Sequence, residues 1–173
     1  MDKSANSVMS KTSSVNINEL CSMADKAYRN NRWRTGHALA LRAAMLGERW
    51  AQYMIAFSYD EGKGVRRNYV SAAYWYRRAA KQNYSSAQLN LGILYGNGRG
   101  VRKSFKTALR YYRLAAQQGN RNACFNLGLY HSEGRGVKES LRWAKYWYGR
   151  AAQKGDREAK RRLRQLNMQA KQG

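Results

Sequence analysis

The sequence predicts an all-α fold, a solenoid of antiparallel helix hairpins, on three observations. A block of 36 residues recurs three times without an insertion: AQYMIAFSYDEGKGVRRNYVSAAYWYRRAAKQNYSS from Ala51, AQLNLGILYGNGRGVRKSFKTALRYYRLAAQQGNRN from Ala87, and ACFNLGLYHSEGRGVKESLRWAKYWYGRAAQKGDRE from Ala123. Each block holds two helical patterns on either side of a glycine-rich connector. The opening Ala, the Gly-x-Gly-Val and the Ala-Ala pair keep register through all three copies. A unit of that size cannot bury its apolar side alone, so stacked neighbours must supply the core.

Taken in chain order, residues 1–16 are polar and rich in Ser and Asn, with no apolar stretch of signal-peptide length. They are expected to form a disordered arm on a cytoplasmic protein, and a specialised secretion signal is the alternative. A single solenoid is expected over 17–173. Residues 17–50 form a degenerate first hairpin, because Ala43-Ala44 and Gly47 stand one repeat ahead of Ala79-Ala80 and Asn83. Asn30-Asn31 replaces the long glycine loop there, so that turn should be tight.

The full repeats are 51–86, 87–122 and 123–158. In the middle one, a first helix over Ala87 to about Tyr95 places Leu91 and Tyr95 on one face, and the glycines of Gly96-Asn97-Gly98-Arg99-Gly100 end it through positive φ. The second helix begins after Asn68, Ser104 or Ser140, residue types whose side-chain oxygen caps an exposed backbone N–H. It runs through Ala108, Tyr111, Tyr112, Ala115 and Ala116, small residues for close approach and aromatics to fill the space between layers. Gly119 and Gly155 close it, with Asn83 in their place in the first repeat. A last helix over 159–170, with Leu163 and Leu166 as its apolar contacts, caps the array.

These units resemble the Sel-1-like repeat, a relative of the tetratricopeptide repeat. The resemblance rests on three copies of A-x-x-x-L-G-x-x-Y-x-x-G-x-G-V followed by A-x-x-W-Y-x-x-A-A-x-x-G, and it covers about residues 20 to 170. It implies a right-handed α/α solenoid that works as an adaptor or scaffold, with catalysis poorly attested. The chain departs from the family at several points. Asn68, Ser104 and Ser140 stand where the family usually has Asp, and Arg66, Arg102 and Lys138 where it often has Pro. Ile55-Ala56, followed by Phe57 and Ser58, replaces Leu-Gly in the first repeat, and His131 takes a Tyr position in the third. Many exported members pair cysteines within a unit, which this chain cannot do.

Composition removes other classes. The chain has 173 residues, no proline and 43% hydrophobic content, too apolar for a disordered basic tail. Its apolar runs fall short of the roughly 20 residues that span a bilayer. Cys21 and Cys124 are far apart and belong to no Cys/His cluster, so neither a disulfide framework nor a metal site is expected. The Gly-x-Gly loop lacks the strand and the Lys-Ser/Thr of a phosphate loop. The few carboxylates are scattered, so no catalytic residue, cofactor or small-molecule substrate is expected.

Charge is the feature that remains. There are 33 Lys and Arg against 10 Asp and Glu, a net +23, and no acid stands between Glu61 and Glu133. One-sided charge repels itself, which points to an external anion. Laid on the repeat, the cations form a predicted basic ridge in two strips. The loop strip is Lys63, Arg66, Arg67, then Arg99, Arg102, Lys103, then Arg135 and Lys138. The second-helix strip is led by Arg77, Arg78, Arg110 and Arg113, and the last helix adds Arg161 and Arg162. Tyr74 and Tyr146 are candidates for exposed aromatics among the arginines.

The first helices carry almost no charge. By analogy with tetratricopeptide solenoids they line a concave groove, with Tyr53, Phe57, Leu89, Ile93, Phe125 and Leu129 as its apolar set and Asn90 and Asn126 as hydrogen-bonding groups. The alternative is that these side chains only pack the helices. The functional expectation is a non-enzymatic adaptor that grips an acidic protein partner. A nucleic-acid binder using the same basic loops and helices is the alternative, and an anionic membrane is disfavoured because no amphipathic face is spare.

Overall fold

The computed structural model describes residues 16–169, so the predicted arm, apart from Asn16, lies outside the described residues. Among those residues there are nine α-helices and no strand. They are α1 (Ile17–Arg29), α2 (Trp33–Met45), α3 (Arg49–Glu61), α4 (Tyr69–Lys81), α5 (Ser85–Asn97), α6 (Phe105–Gln117), α7 (Arg121–Ser132), α8 (Leu141–Gln153) and α9 (Arg157–Gln169). Each packs chiefly on the helix before it and the helix after it, which is the α/α solenoid expected.

Local chemistry sets the boundaries. Asn68, Ser104 and Ser140 accept the backbone N–H of Ser71, Thr107 and Trp143, the N-caps anticipated for α4, α6 and α8. Glu48 and Asn120 do the same for α3 and α7. The first-helix pattern is longer than predicted at both ends, because α5 runs from Ser85 to Asn97. This corrects the reading of the connector. Only Gly98 and Gly100 have positive φ there, while Gly96 lies inside α5 and leaves room for the Tyr130 hydroxyl.

Gly100 shows how units join. Its φ is +67°, and a Cβ there would overlap the main chain of Tyr69, the first residue of α4. Gly64 and Gly136 meet Trp33 and Phe105 in the same way, so each loop lies on the start of the previous unit's second helix. The loops are therefore stacked by backbone contact, one repeat apart.

The core is made of alanines and tyrosines. Ala72, Ala79, Ala108, Ala115, Ala144 and Ala151 have no exposed surface, and Tyr76, Tyr112 and Tyr148 are buried between the layers. A buried polar seam accompanies them. Gln52 Nε2 donates to the Ala44 carbonyl (3.2 Å) and Gln88 Nε2 to the Ala80 carbonyl (3.3 Å), each one a carbonyl near the end of a preceding helix. Gln82 and Gln118 then donate to the Gln52 and Gln88 side chains at 2.9 and 2.8 Å. Each carbonyl already accepts a main-chain N–H, from Gly47 and Asn83 respectively, so the glutamine bond is a second one to it, and the two buried amides are satisfied.

Candidate interaction surfaces

The α4, α6 and α8 helices form one layer with a single sign of charge. They hold nine Lys and Arg and no Asp or Glu. Among the described residues none of the nine stands in a salt bridge. Several lie on aromatic rings instead. Arg78 sits over Trp75 at 5.2 Å and donates to the Tyr74 hydroxyl, Arg110 lies over Tyr111, and Arg150 over Trp147 at 5.5 Å. Tyr74 and Tyr146 are each 49% exposed beside them. Arg113 is exposed, whereas Arg77 is half-buried and donates to the Tyr95 hydroxyl at 3.1 Å.

The loop cations share this habit. Lys63 lies over Trp33 at 4.6 Å, Arg99 over Tyr69 at 5.5 Å and Lys103 over Phe105 at 4.8 Å. These rings belong to the starts of α2, α4 and α6, where the loop glycines touch down. Arg66, Arg102 and Lys138 are exposed, and Arg67 donates to the Glu61 carbonyl. Three residues of the predicted ridge are paired within the chain. Arg135 pairs with Glu133, and Arg161 and Arg162 share Glu158 at 2.7 and 2.9 Å. Hydrogen bonds from both guanidinium groups pull the Glu158 carboxyl down to about 2.

All eight residues of the predicted groove lie on the first helices α3, α5 and α7, and four of them line one cleft. Tyr53 and Phe57 of α3 and Asn90 and Ile93 of α5 line an open cleft of about 340 Å³. Leu89 is 8% exposed and belongs to the core. Phe125 packs on the ring of Tyr148 at 5.6 Å, and Leu129 and Asn126 are half-buried further along α7.

The cleft also contains residues that the sequence reading missed: Asp60, Glu61, Leu94 and Arg99. The available signal was Asp60 itself, which stands where the next two units have Gly96 and Ser132. Its carboxylate accepts the Tyr76 hydroxyl at 3.3 Å, and Asn90 Nδ2 donates to the same hydroxyl at 2.9 Å. Burial pushes the Asp60 carboxyl above its ordinary value, against the pull of the Tyr76 bond and of Arg99 and Arg67. The Tyr76 hydroxyl is raised strongly, first by burial and then by the Asp60 charge, so it stays a proton donor.

Among the described residues no group of three His, Cys, Asp or Glu is placed to hold a metal ion. No helix there is long and apolar enough to cross a membrane.

The family model for the Sel1 repeat matches residues 51–84, 85–120 and 121–156. The chain belongs to the Sel1 repeat family. Sel1 repeat proteins are interaction scaffolds that bind protein partners, and the family is generally non-enzymatic. Among solved structures, a Sel1 repeat protein from Oxalobacter formigenes is 31% identical with a TM-score of 0.78, covering 83% of this chain and 59% of its own. The c5321 protein of uropathogenic Escherichia coli, described as a protective antigen with this repeat fold, is 28% identical with a TM-score of 0.81 over 87% of this chain. Only 33% of c5321 is covered, so this chain spans about three-fifths and one-third of the two relatives. The Helicobacter pylori cysteine-rich protein B, at 21% identity and a TM-score of 0.56 over 79% of this chain and 91% of its own, shares the fold. No curated protein gives a significant match.

Proposed function

We propose that this Sel1 repeat chain is a non-enzymatic adaptor that holds an acidic protein partner on the layer formed by α4, α6 and α8 and on the adjoining loops. One observation carries this reading: nine cations on the three second helices, with no acid on them and, among the described residues, no ion pair to any. Such a surface costs stability by self-repulsion, and an anionic partner removes that cost. It also speeds encounter, and its charge pattern selects the partner more than it sets affinity.

A second reading has one observation in its favour. Tyr74 and Tyr146, half-exposed beside arginines, suit the stacking of unpaired bases as well as contact with a protein. The two readings separate on one titration. Poly-L-glutamate and a single-stranded oligonucleotide of similar charge are titrated at several salt concentrations into the protein and into Lys106→Gln/Arg110→Gln/Arg142→Gln. The adaptor reading expects glutamate binding that the triple variant weakens about tenfold or more, each lost contact counting for a few tenths to 1 kcal/mol. Oligonucleotide binding that dominates at physiological salt and falls on Tyr74→Ala and Tyr146→Ala supports the second reading. Binding to neither polymer overturns both.

A further inference from the structure

The cleft between α3 and α5 carries a sign opposite to that of the molecule around it. Two carboxylates, Asp60 and Glu61, stand in it, and among the described residues neither is in a salt bridge, although the chain has 33 Lys and Arg. Arg99 lines the same cleft, yet its guanidinium is laid over the Tyr69 ring. One wall is aromatic: Tyr53 and Phe57 are stacked with their rings 6.4 Å apart and 24° from parallel. Phe57 already attracts a cation, since Lys63 Nζ lies 5.1 Å from its centre. The floor is fixed, because Asn90 and Asp60 both hold the Tyr76 hydroxyl.

We infer that this cleft seats an arginine side chain of a protein partner, its guanidinium on Asp60 and Glu61 and its plane against Tyr53 and Phe57. The inference rests on the adaptor reading and deepens it, giving the chain a second partner surface on the first-helix layer. An adaptor must hold two things at once, and surfaces of opposite sign on opposite layers keep the two from competing. Three features select arginine. A planar guanidinium can bond a carboxylate with two parallel N–H groups and lie on a ring face at the same time, which an ammonium cannot. The volume, about 340 Å³, is at the low end of ligand clefts and suits one long side chain with its flanking backbone. The half-buried Asp60 carboxylate has lost water yet makes no salt bridge, Arg99 and Arg67 acting on it only from further away, so an incoming charge at contact meets a group that favours it.

The test uses the full chain and the peptide acetyl-Gly-Arg-Gly-amide, followed by the NMR signals of the Asn90 side-chain amide and the Tyr53 ring. Expected is a saturable shift with a dissociation constant of about 1 mM, as suits one charged contact. The citrulline peptide, identical in shape and uncharged, should bind at least about tenfold more weakly to the same protein. Asp60→Asn keeps an acceptor for the Tyr76 hydroxyl and should weaken the arginine peptide about tenfold while leaving poly-L-glutamate binding unchanged. Equal binding of the arginine and citrulline peptides overturns the inference, as does the absence of any saturable shift at these signals. A glutamate peptide that shifts them through Arg99 overturns it too. Loss of poly-L-glutamate binding in the outer-layer triple variant, with the arginine peptide unaffected, shows that the two surfaces stand or fall separately.

Discussion

Gly100 and Gly155 have similar φ angles, +67° and +83°, but they differ in their surroundings. Nothing lies within 4 Å of a Cβ built on Gly155, so Gly155→Ala should cost only the left-handed penalty, about 1 kcal/mol. Gly100→Ala must also push the loop off Tyr69, and about 2–4 kcal/mol is expected from the added overlap. Paired denaturant titrations of the two variants check the difference. The histidines make a second prediction at this level. His37 and His131 are 8% and 7% exposed, both have a buried Nδ1 without a partner, and burial lowers both pKa values. Below the ordinary value of 6.5 the unfolded chain binds protons that the folded chain resists, so stability falls as pH drops through that region and is flat above it. Replacing them with the residues found at equivalent positions, as His37→Leu/His131→Tyr, should flatten the profile between about pH 5.5 and 7.5, read as urea midpoints.

Helices in this fold are joined by more than apolar packing. The Gln88 side chain reaches from α5 to the Ala80 carbonyl of α4 and receives the Gln118 amide from the end of α6, so three helices meet at one group. Gln88→Leu fills the space but removes one of two donors to that carbonyl, which keeps the Asn83 N–H, and takes the acceptor from the Gln118 amide, so a loss of about 1 kcal/mol is expected. Gln118→Leu takes the donor from the Oε1 of Gln88, a side chain 1% exposed, and a loss of about 1 kcal/mol is expected there too. The third repeat has Cys124 and Lys154 at these two positions, so the seam stops there. Cys124 is buried, and burial raises its thiol pKa, which keeps it an unreactive core group.

For the whole chain, net charge dominates. With +23 on 173 residues, the folded state repels itself wherever no counter-charge is near. Salt should therefore stabilise this protein. Raising sodium chloride from about 20 to 300 mM shortens the screening length from about 20 to 6 Å, and a gain of about 1 kcal/mol, or about 2–4 °C in Tm, is expected by calorimetry. The same salt should weaken the outer-layer complex with poly-L-glutamate, so folding and binding respond in opposite directions.

The fold was legible because its determinants are local and repeated. Asn68, Ser104 and Ser140 cap helices through their own side chains, and Asn83, Gly119 and Gly155 turn the chain through their own φ. The charge of the second helices could also be read directly, since it depends only on which residues fall in each repeat. Position in the tertiary structure decided the rest. Leu89 and Asn90 are neighbours in sequence, yet one is sealed in the core and the other faces the cleft. Asp60, at the end of one helix, becomes the floor of that cleft only because α5 from the next unit brings Asn90 to the same tyrosine hydroxyl. Repeat periodicity determines what each unit is, because caps, turns and helical faces act within a few residues. Where the Asp60 carboxylate loses its water depends on Tyr76, 16 positions away, and on the Asn90 that bonds the same hydroxyl from the next unit, and that is settled only when the units stack.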